Sequence, residues 1–256
     1  SCLQGISRQT YSDWELVLID DGSTDSRTVE VLESWARREP RLRLYRQENK
    51  GLTKSLNYGL SLAKAEWVAR HDSDDWSHPE RLQKQILYIK ERPHLGLLGC
   101  RPTLVDQKGR KIFVAPLPLQ TSEVAAFFKQ GNPLCHGSVI FKRELALSIG
   151  GYDESFDCTQ DYDFFWRLGQ ITKLENLKES LYFLRKTTTS ISSTKHSHQI
   201  SAVRRIRKNM GLSDLWYESK STLSVKAIDD QLLAGSFSGV MSAAISALRG
   251  DGKGSM

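Results

Sequence analysis

Two short apolar segments that each end in a cluster of acidic residues constrain the fold of this chain most. The run from Trp14 to Ile19 stops at Asp20-Asp21-Gly22-Ser23, and Trp67-Val68-Ala69 leads into Asp72-Ser73-Asp74-Asp75. Short apolar runs bounded by polar turns are typical of strands buried on both faces of a sheet. The carboxyl ends of parallel strands meet at one edge, where α/β sheets bind their ligands. The sequence therefore predicts one crevice that holds both acidic clusters.

Helical patterns alternate with these strands. Ser23 is placed to cap a helix that Pro40 closes, and a second helix follows the turn at Asn49-Lys50-Gly51. The sequence Ser77-His78-Pro79-Glu80 has the spacing of a capping box and predicts a third helix start. This alternation predicts an α/β fold, with a mostly parallel sheet and right-handed crossovers. Later predicted elements are strands within 96–114, 135–141 and 181–184, helices over 121–129, 160–168 and 198–210, and further helices within 224–248.

Composition excludes several classes of protein. The four cysteines are scattered without metal-ligand spacing, which argues against a disulfide framework or a zinc site and favours a reducing, cytoplasmic setting. No apolar run reaches the 18 to 20 residues or so that span a bilayer. The net charge of +6 suits an anionic ligand. The basic residues are spread along the chain, however, so we expect no nucleic-acid partner.

The acidic cluster that follows the later strand has the composition of a divalent-metal site. Asp72, Asp74 and Asp75 supply hard oxygen ligands, which Mg²⁺ or Mn²⁺ prefers when it bridges a diphosphate. A loop rich in aspartate can also do no more than cap a helix, but its position at the end of a buried strand favours the metal site. An EF-hand is excluded because Trp76 stands where an oxygen ligand is required.

The earlier acidic cluster supports two interpretations. Asp20 and Asp21 can accept hydrogen bonds from a nucleotide base or ribose, or they can merely cap a strand-to-helix turn. The residues alone leave both open. A phosphatase of the Asp-x-Asp-Gly-Thr kind is excluded because Ile19 occupies the position of its first acid.

Three further candidates each have a structural alternative. Asp161 can remove a proton from an acceptor hydroxyl, although an acid in the first turn also stabilises its own helix. His136 can contact a phosphate or a sugar, although a lone histidine is more often structural. A basic helix can meet an anionic membrane surface or an acceptor phosphate, although such a run is usually a solvated face. Its basic residues are Arg204, Arg205, Arg207 and Lys208.

In order and spacing, these segments resemble the family 2 glycosyltransferases, the inverting GT-A enzymes that build bacterial surface polysaccharides. The segments that carry the resemblance are Gln9-Thr10-Tyr11, Asp20 to Asp25, Asn49 to Leu52 with Asn57 and Gly59, Ala69 to Asp75, Pro79 to Leu82, Gly150 to Glu154 and Gln160 to Asp163. The resemblance predicts a GT-A domain over residues 1–190 and a helical C-terminal extension over 191–256. The first strand of the family and the loop that closes over the nucleotide would precede Ser1, so we expect the sheet to lack that strand.

The resemblance implies roles that the residues alone do not give. Asp21 would lie near the nucleotide base and Asp72 near the ribose or a phosphate of the donor. Asp74 would bind the metal with Asp75 beside it, and Asp161 would be the catalytic base. Gln160 stands where the family usually has a second acid. The complete set of candidate donor-binding residues is Asp20, Asp21, Lys50, Asn57, Arg70, Asp72, Asp75 and His136.

We therefore expect an inverting, metal-dependent glycosyltransferase that uses Mn²⁺ or Mg²⁺ in cell-surface polysaccharide synthesis. Its donor would be a nucleotide-sugar, with a UDP-sugar favoured, and its acceptor a glycan or a lipid-linked acceptor. The expected location is the cytoplasm, and a peripheral contact with the inner face of the membrane is left open. A nucleotidyltransferase and a non-catalytic nucleotide-sugar-binding remnant are the alternatives.

Overall fold

A nine-stranded sheet with helices on both faces forms the molecule. The computed structural model describes residues 2–185, 196–212 and 241–247. The strands are β1 (Trp14–Asp21), β2 (Leu42–Gln47), β3 (Trp67–Asp72), β4 (Trp76–Ser77), β5 (Leu95–Val105), β6 (Lys111–Val114), β7 (Ile140–Lys142), β8 (Lys173–Arg185) and β9 (Met241–Ala247). The helices are α1 (Cys2–Ser7), α2 (Ser26–Arg38), α3 (Leu52–Leu62), α4 (Arg81–Lys90), α5 (Thr121–Phe127), α6 (Arg143–Ser148), α7 (Gln160–Gly169) and α8 (His196–Asn209). A short 3-10 helix covers His136–Ser138.

The strands are ordered β2-β1-β9-β3-β7-β5-β8-β4, with β6 paired to β5. The predicted α/β class is confirmed, and strands and helices alternate as expected as far as β3. β1 pairs parallel with β2, and β5 pairs parallel with β8. The remaining pairings are antiparallel, so the sheet is more mixed than the predicted, mostly parallel one. Within the described residues, no helix combines the length and apolarity that crossing a bilayer requires.

Residues on alternate sides of each strand build two apolar layers, one on each face of the sheet. In β1, Leu16 and Leu18 point into the first layer, whereas Val17 and Ile19 point into the second. This alternation follows from the two-residue repeat of a strand. Helices α1, α2 and α4 cover the first layer, and α3, α7 and α8 are among those that cover the second. The strand ends are thereby held rigidly at one edge.

Two predicted helix starts differ from the structure. Asp25, rather than Ser23, caps α2, and its carboxylate accepts the backbone N–H of Thr28 at 3.0 Å. Ser23 instead donates its own N–H to Asp20 Oδ1 at 2.9 Å. The capping box predicted from Ser77 to Glu80 is wrong as well, because Glu80 makes no side-chain cap bond to α4.

The start of α4 is stabilised by residues that no local pattern includes. Gln9 Oε1, from the segment after α1, accepts the backbone N–H of Leu82 at 3.0 Å. Ser77 Oγ accepts a hydrogen bond from Arg81 Nη1 at 3.0 Å and is therefore engaged elsewhere. A tertiary contact thus replaces the local cap at this helix.

Strand β9 corrects the prediction for the end of the chain. Residues 224–248 are rich in serine and alanine, which permits a helix. Met241–Ala247 is nevertheless a strand, paired antiparallel with β1 on one side and with β3 on the other. The facing edges of β1 and β3 carry backbone N–H and C=O groups that need hydrogen-bond partners. A strand between them supplies partners on both sides. Residues 213–240 and 248–256 lie outside the described part of the chain.

The predicted domain boundary near residue 190 stays a prediction. Residues 186–195 lie outside the described part of the chain, and α8 follows them. Val203 and Ile206 of α8 are buried in the second apolar layer, beside residues of α7. The helix predicted over 198–210 is confirmed, with its start two residues earlier, at His196.

Candidate active site

The two acidic clusters lie at the same edge of the sheet. Ile19 of β1 and Asp72 of β3 are both paired with Ser242 of β9, so the two strands end at nearly the same level. Neighbouring strands are about 4.8 Å apart, and two such spacings separate the clusters by roughly 10 Å. The end of β9 lies between the two clusters, and this shared edge with its surrounding loops is here called the crevice.

The loop after β3 is fastened to the end of β8. Asp75 is fully buried, and both of its carboxylate oxygens are engaged. The Tyr182 hydroxyl donates to Oδ2 at 2.7 Å, and the Arg185 backbone N–H donates to Oδ1 at 2.8 Å. The same hydroxyl accepts the backbone N–H of Asp72 at 3.1 Å. Burial, followed by the charges of Asp72 and Asp74, raises the pKa of Asp75 well above its ordinary value.

Asp74 lies between Asp72 and Asp75 in sequence but in a different environment. Its Oδ1 is buried and has no hydrogen-bond partner among the described residues. Burial first, and then the charge of Asp72, raises the pKa of Asp74 to about 7. A carboxylate that is desolvated beside another carboxylate is stabilised by a cation, so the residue fits a divalent ion.

No group of three or more acidic, histidine or cysteine side chains within the described residues is arranged to hold a metal alone. Mg²⁺ commonly takes only one or two protein carboxylates and completes its coordination with water and substrate phosphates. One open oxygen on Asp74 therefore fits a metal that arrives with a diphosphate, and does not fit a metal enclosed by protein ligands.

A glycine allows the close packing beneath this loop. A Cβ added to Gly137 would lie 2.6 Å from Asp72 Oδ2 and would also overlap the Tyr182 hydroxyl. The 3-10 helix that carries Gly137 therefore approaches the acidic loop at backbone distance. Sequence reasoning singled out the neighbouring His136 and missed this glycine.

The acids at the end of β1 bind the protein's own backbone. Asp21 Oδ1 accepts from Gln47 Nε2 at 2.6 Å and from the Lys50 N–H at 2.8 Å, while Oδ2 accepts from the Gly51 N–H at 2.9 Å. The φ of Gly51 is 89°, a value that favours glycine, and this residue starts α3. Asp20 receives the Ser23 N–H and pairs with Arg46 at 3.2 Å. Both acids thus shape the loops around the crevice.

Two candidate donor-binding residues on the β2–α3 side differ in exposure. Lys50 has an exposed side chain beside the acidic edge. Asn57 is half-buried and makes two hydrogen bonds to the backbone of Tyr152. Its Nδ2 donates to the Tyr152 carbonyl at 2.9 Å, and its Oδ1 accepts the Tyr152 N–H at 2.8 Å. Asn57 therefore fixes the loop after α6.

Arg70 and His136 both lie buried beneath the crevice. Arg70 Nη2 donates to Asp72 Oδ1 at 2.6 Å, while its Nε has no partner among the described residues. His136 Nε2 is 3.0 Å from the Tyr152 hydroxyl. Burial, and then the nearby charge of Arg70, lowers the pKa of His136 well below its usual value, so the ring is neutral near pH 7.

Asp161 lies in the first turn of α7, where the charge of Asp72 acts on it. Burial raises the pKa of Asp161 to about 6, and the charge of Asp72 adds to that increase. Asn132 Nδ2 donates to Asp161 Oδ2 at 2.8 Å. The preceding Thr159 has a φ of 57°, a left-handed conformation that is uncommon outside glycine and recurs at functional sites.

The basic helix is anchored to the protein through its apolar face. Val203 and Ile206 are buried against the protein and are therefore not available to a membrane. Arg207 is buried as well, and its Nη1 donates to the Lys129 carbonyl at 2.8 Å. Arg204 and Lys208 remain exposed.

Comparison with known proteins identifies the family of this chain. A family model described as "Glycosyl transferase family 2" matches residues 1–149. The chain is 32% identical over 167 residues to the amylovoran biosynthesis glycosyltransferase AmsE of Erwinia amylovora, a match that covers 65% of this chain and 62% of that protein. It is 30% identical over 232 residues to the putative glycosyltransferase EpsE of Bacillus subtilis, covering 85% and 81% respectively. It is also 30% identical over 166 residues to the O-antigen biosynthesis glycosyltransferase WbnJ of Escherichia coli, covering 65% and 64%.

Solved structures show the same fold. The S. aureus TarS fragment 1-349 in complex with UDP has a TM-score of 0.62 at 21% identity, over 91% of this chain and 64% of that one. The mannosyltransferase PcManGT of Pyrobaculum calidifontis, in complex with GDP-Man and Mn²⁺, has a TM-score of 0.58 at 19% identity, over 79% and 59%. The fold is thus that of GT-A glycosyltransferases, as predicted, and the family match covers more than half of the sequence. The chain belongs to glycosyl transferase family 2.

Proposed function

We propose that the protein transfers a sugar from a nucleotide-sugar donor to a hydroxyl of a glycan or lipid-linked glycan, with inversion at the anomeric carbon. The observation that carries the proposal is a pair of unlike carboxylates, Asp74 in the loop after β3 and Asp161 in the first turn of α7, where the charge of Asp72 acts on both. Asp74 has an open buried oxygen suited to a cation, and Asp161 has a pKa of about 6 suited to a base. The relatives named for amylovoran and O-antigen biosynthesis support a polysaccharide product.

In this proposal Asp74 would hold Mn²⁺ or Mg²⁺ when the donor diphosphate binds. The metal, when bound, supplies positive charge that stabilises the departing nucleoside diphosphate. Asp161 is mostly ionised above pH 7 and accepts the proton of the acceptor hydroxyl. The acceptor oxygen then forms its bond to the anomeric carbon from the face opposite the diphosphate, and the carbon–oxygen bond to the diphosphate breaks.

The other predicted donor-binding residues divide into two groups in this proposal. Lys50 would act directly, because its side chain is exposed beside the acidic edge, and the buried Arg70–Asp72 pair would set the charge at that edge. Asp20, Asp21, Asn57, Asp75 and His136 act indirectly, because their polar atoms hold the loops that form the crevice. A UDP-sugar is the favoured donor, and the solved neighbours that contain UDP-GlcNAc and UDP support it.

We propose a cytoplasmic location with electrostatic contact to the inner face of the membrane. All four cysteines are free, which suits a reducing compartment. The exposed Arg204 and Lys208 of α8 would supply the contact, since its apolar residues are buried in the protein. Such a contact is predicted to weaken with salt.

A donor and acceptor screen tests the proposal. The protein is incubated with Mn²⁺, a panel of UDP- and GDP-sugars, and polyprenyl-linked glycan acceptors, and the products are identified by mass spectrometry. We expect a nucleoside diphosphate and an extended glycan, and we expect EDTA to abolish both. Release of pyrophosphate from a nucleoside triphosphate would instead identify a nucleotidyltransferase. Binding of UDP without turnover of any donor would identify a non-catalytic protein.

Two variants test the residue roles in the same assay. Asp74→Asn is expected to remove metal-dependent turnover with the fold intact by circular dichroism. Asp161→Asn is expected to lower transfer on the order of 10²- to 10⁴-fold while UDP and Mn²⁺ still bind by calorimetry. Asp13→Asn, at an exposed position, is the matched control. Wild-type transfer in either site variant would exclude the role assigned to that residue.

A further inference from the structure

One asparagine contacts the carboxylate of Asp161 directly. Asn132 Nδ2 donates to Asp161 Oδ2 at 2.8 Å. The other end of the same amide, Oδ1, accepts the backbone N–H of Leu134 at 3.2 Å. Because the carbonyl oxygen is committed to a backbone donor, the amide can only present its NH₂ group to Asp161. The polarity of this contact is therefore set by the protein and is independent of any ligand.

The loop that carries Asn132 is held at three further points. The Tyr162 hydroxyl donates to the Phe128 carbonyl at 2.5 Å, Arg207 Nη1 donates to the Lys129 carbonyl at 2.8 Å, and Asn176 Nδ2 donates to the Pro133 carbonyl at 3.0 Å. These donors come from α7, α8 and β8. Three separate elements thus fix the loop over residues 128–134.

We propose that Asn132 is a positioning residue for the catalytic base. It holds Asp161 through Oδ2 so that Oδ1 is directed to the acceptor hydroxyl, and it favours the ionised form of the carboxylate. The proposal rests on the function proposed above, in which Asp161 accepts the proton. It assigns to the loop over residues 128–134 the task of orienting that base.

Burial and one nearby charge oppose the ionisation of Asp161. Burial raises the pKa of Asp161, and Asp72 from the end of β3 raises it further. Tyr152, from the loop after α6, also faces the group and has a raised pKa, so it is neutral. On α7 itself, Asp163 is paired with Arg167 at 2.7 Å. Against these groups the backbone N–H groups of Tyr162 and of Asp161 itself lower the pKa of Asp161, and the Asn132 hydrogen bond lowers it further.

Loss of the Asn132 donor is expected to raise the pH that transfer requires. A base is active when it is ionised, so transfer rises with pH through the pKa of Asp161. Removal of the Asn132 donor raises that pKa, and the acid limb of the pH–rate profile moves to higher pH. Hydrogen bonds to charged groups have a strength that corresponds to a shift of about one pKa unit. Transfer should therefore fall several-fold more at pH 6 than at pH 8.

The test measures the pKa of Asp161 by NMR in the free protein, and again through the pH dependence of transfer. Protein labelled with ¹³C at the aspartate carboxyl carbons is titrated by NMR, and the Asp161 resonance is assigned by its loss in Asp161→Asn. The variants are Asn132→Ala, Asn132→Asp and the control Asn209→Ala, at an exposed position on α8. The expected order of the Asp161 pKa is wild type and control lowest, Asn132→Ala higher, and Asn132→Asp highest. The acid limb of transfer, measured with the donor and acceptor from the screen, should follow this order.

The outcomes separate this proposal from the one on which it rests. An unchanged Asp161 pKa in both Asn132 variants overturns the proposal, whatever the activity. A shifted pKa with an unshifted acid limb also overturns it, because Asn132 would then act on a carboxylate that does not limit transfer. Wild-type transfer by Asp161→Asn would remove the proposed base itself, and with it the role of Asn132. If Asp161→Asn loses transfer while the Asp161 pKa in Asn132→Ala is unshifted, only the role of Asn132 is excluded and the proposed base stands.

Discussion

At the scale of single residues, Asp74 and Asp75 show how adjacent carboxylates acquire different tasks. Both oxygens of Asp75 accept hydrogen bonds from β8, whereas Asp74 Oδ1 has no partner among the described residues. Tyr182, which determines this difference, is 107 positions from Asp75 in the chain. No local pattern in the acidic loop contains that information. We therefore regard Asp75 as the residue that fixes the loop and Asp74 as the one left free for a ligand.

A glycine substitution tests how tightly this loop is packed. Gly137→Ala would place a methyl group against the Tyr182 hydroxyl and 2.6 Å from Asp72 Oδ2. Neither neighbour can move without loss of its own hydrogen bonds, so we expect destabilisation of about 1 to 3 kcal/mol. Affinity for UDP with Mn²⁺ should fall as well. Urea unfolding and calorimetry measure the two effects.

The matched control for that substitution is Gly131→Ala. A Cβ at Gly131 would lie 3.9 Å from its nearest neighbour, a ring carbon of Phe127, which is ordinary contact. We expect a change within about 0.5 kcal/mol. Equal stability losses in the two variants would mean that packing at Gly137 is not special.

At the scale of secondary-structure elements, Asp21 joins the end of β1 to the start of α3. It accepts from Gln47 Nε2, the Lys50 N–H and the Gly51 N–H. Asp21→Ala leaves these donors without their partner, and we expect a loss of about 2 to 3 kcal/mol in the free energy of unfolding. Asp13→Ala, at an exposed position, should be close to neutral. An Asp21→Ala variant as stable as the control would show that water replaces the carboxylate without cost.

The elements also show what the sequence could predict. Apolar runs ending in acids located β1, β3 and their shared edge, because strand burial and chain direction are local properties. The capping box at Ser77 failed because Arg81 uses that hydroxyl and Gln9, which is distant in sequence, caps α4 instead. Asn132 was missed for a similar reason, since its partner Asp161 lies 29 positions away. Patterns within one element could be predicted from the sequence, whereas contacts between elements could not.

At the scale of the whole molecule, the sheet is continuous only because β9 lies at its centre. The segment Met241–Ala247 pairs with β1 and β3 on its two sides, so the two acidic strand ends are spaced by a strand from the other end of the described chain. Its serine and alanine content gave no sign of this position. The geometry of the crevice therefore depends on pairing between strands that are distant in sequence.

A proline in β9 tests this dependence. Ala244 is paired with Val17 of β1 and with Arg70 of β3, so it lies in the middle of the sheet. Ala244→Pro removes a backbone donor where neighbours lie on both sides, and we expect a loss of about 3 kcal/mol. Ala244→Gly keeps the N–H and should cost at most about 1 kcal/mol. Thermal unfolding measures stability, and hydrogen exchange should show lost protection along β1 and β3 in the proline variant alone. Unchanged exchange there would mean that β1 and β3 hold their positions without β9.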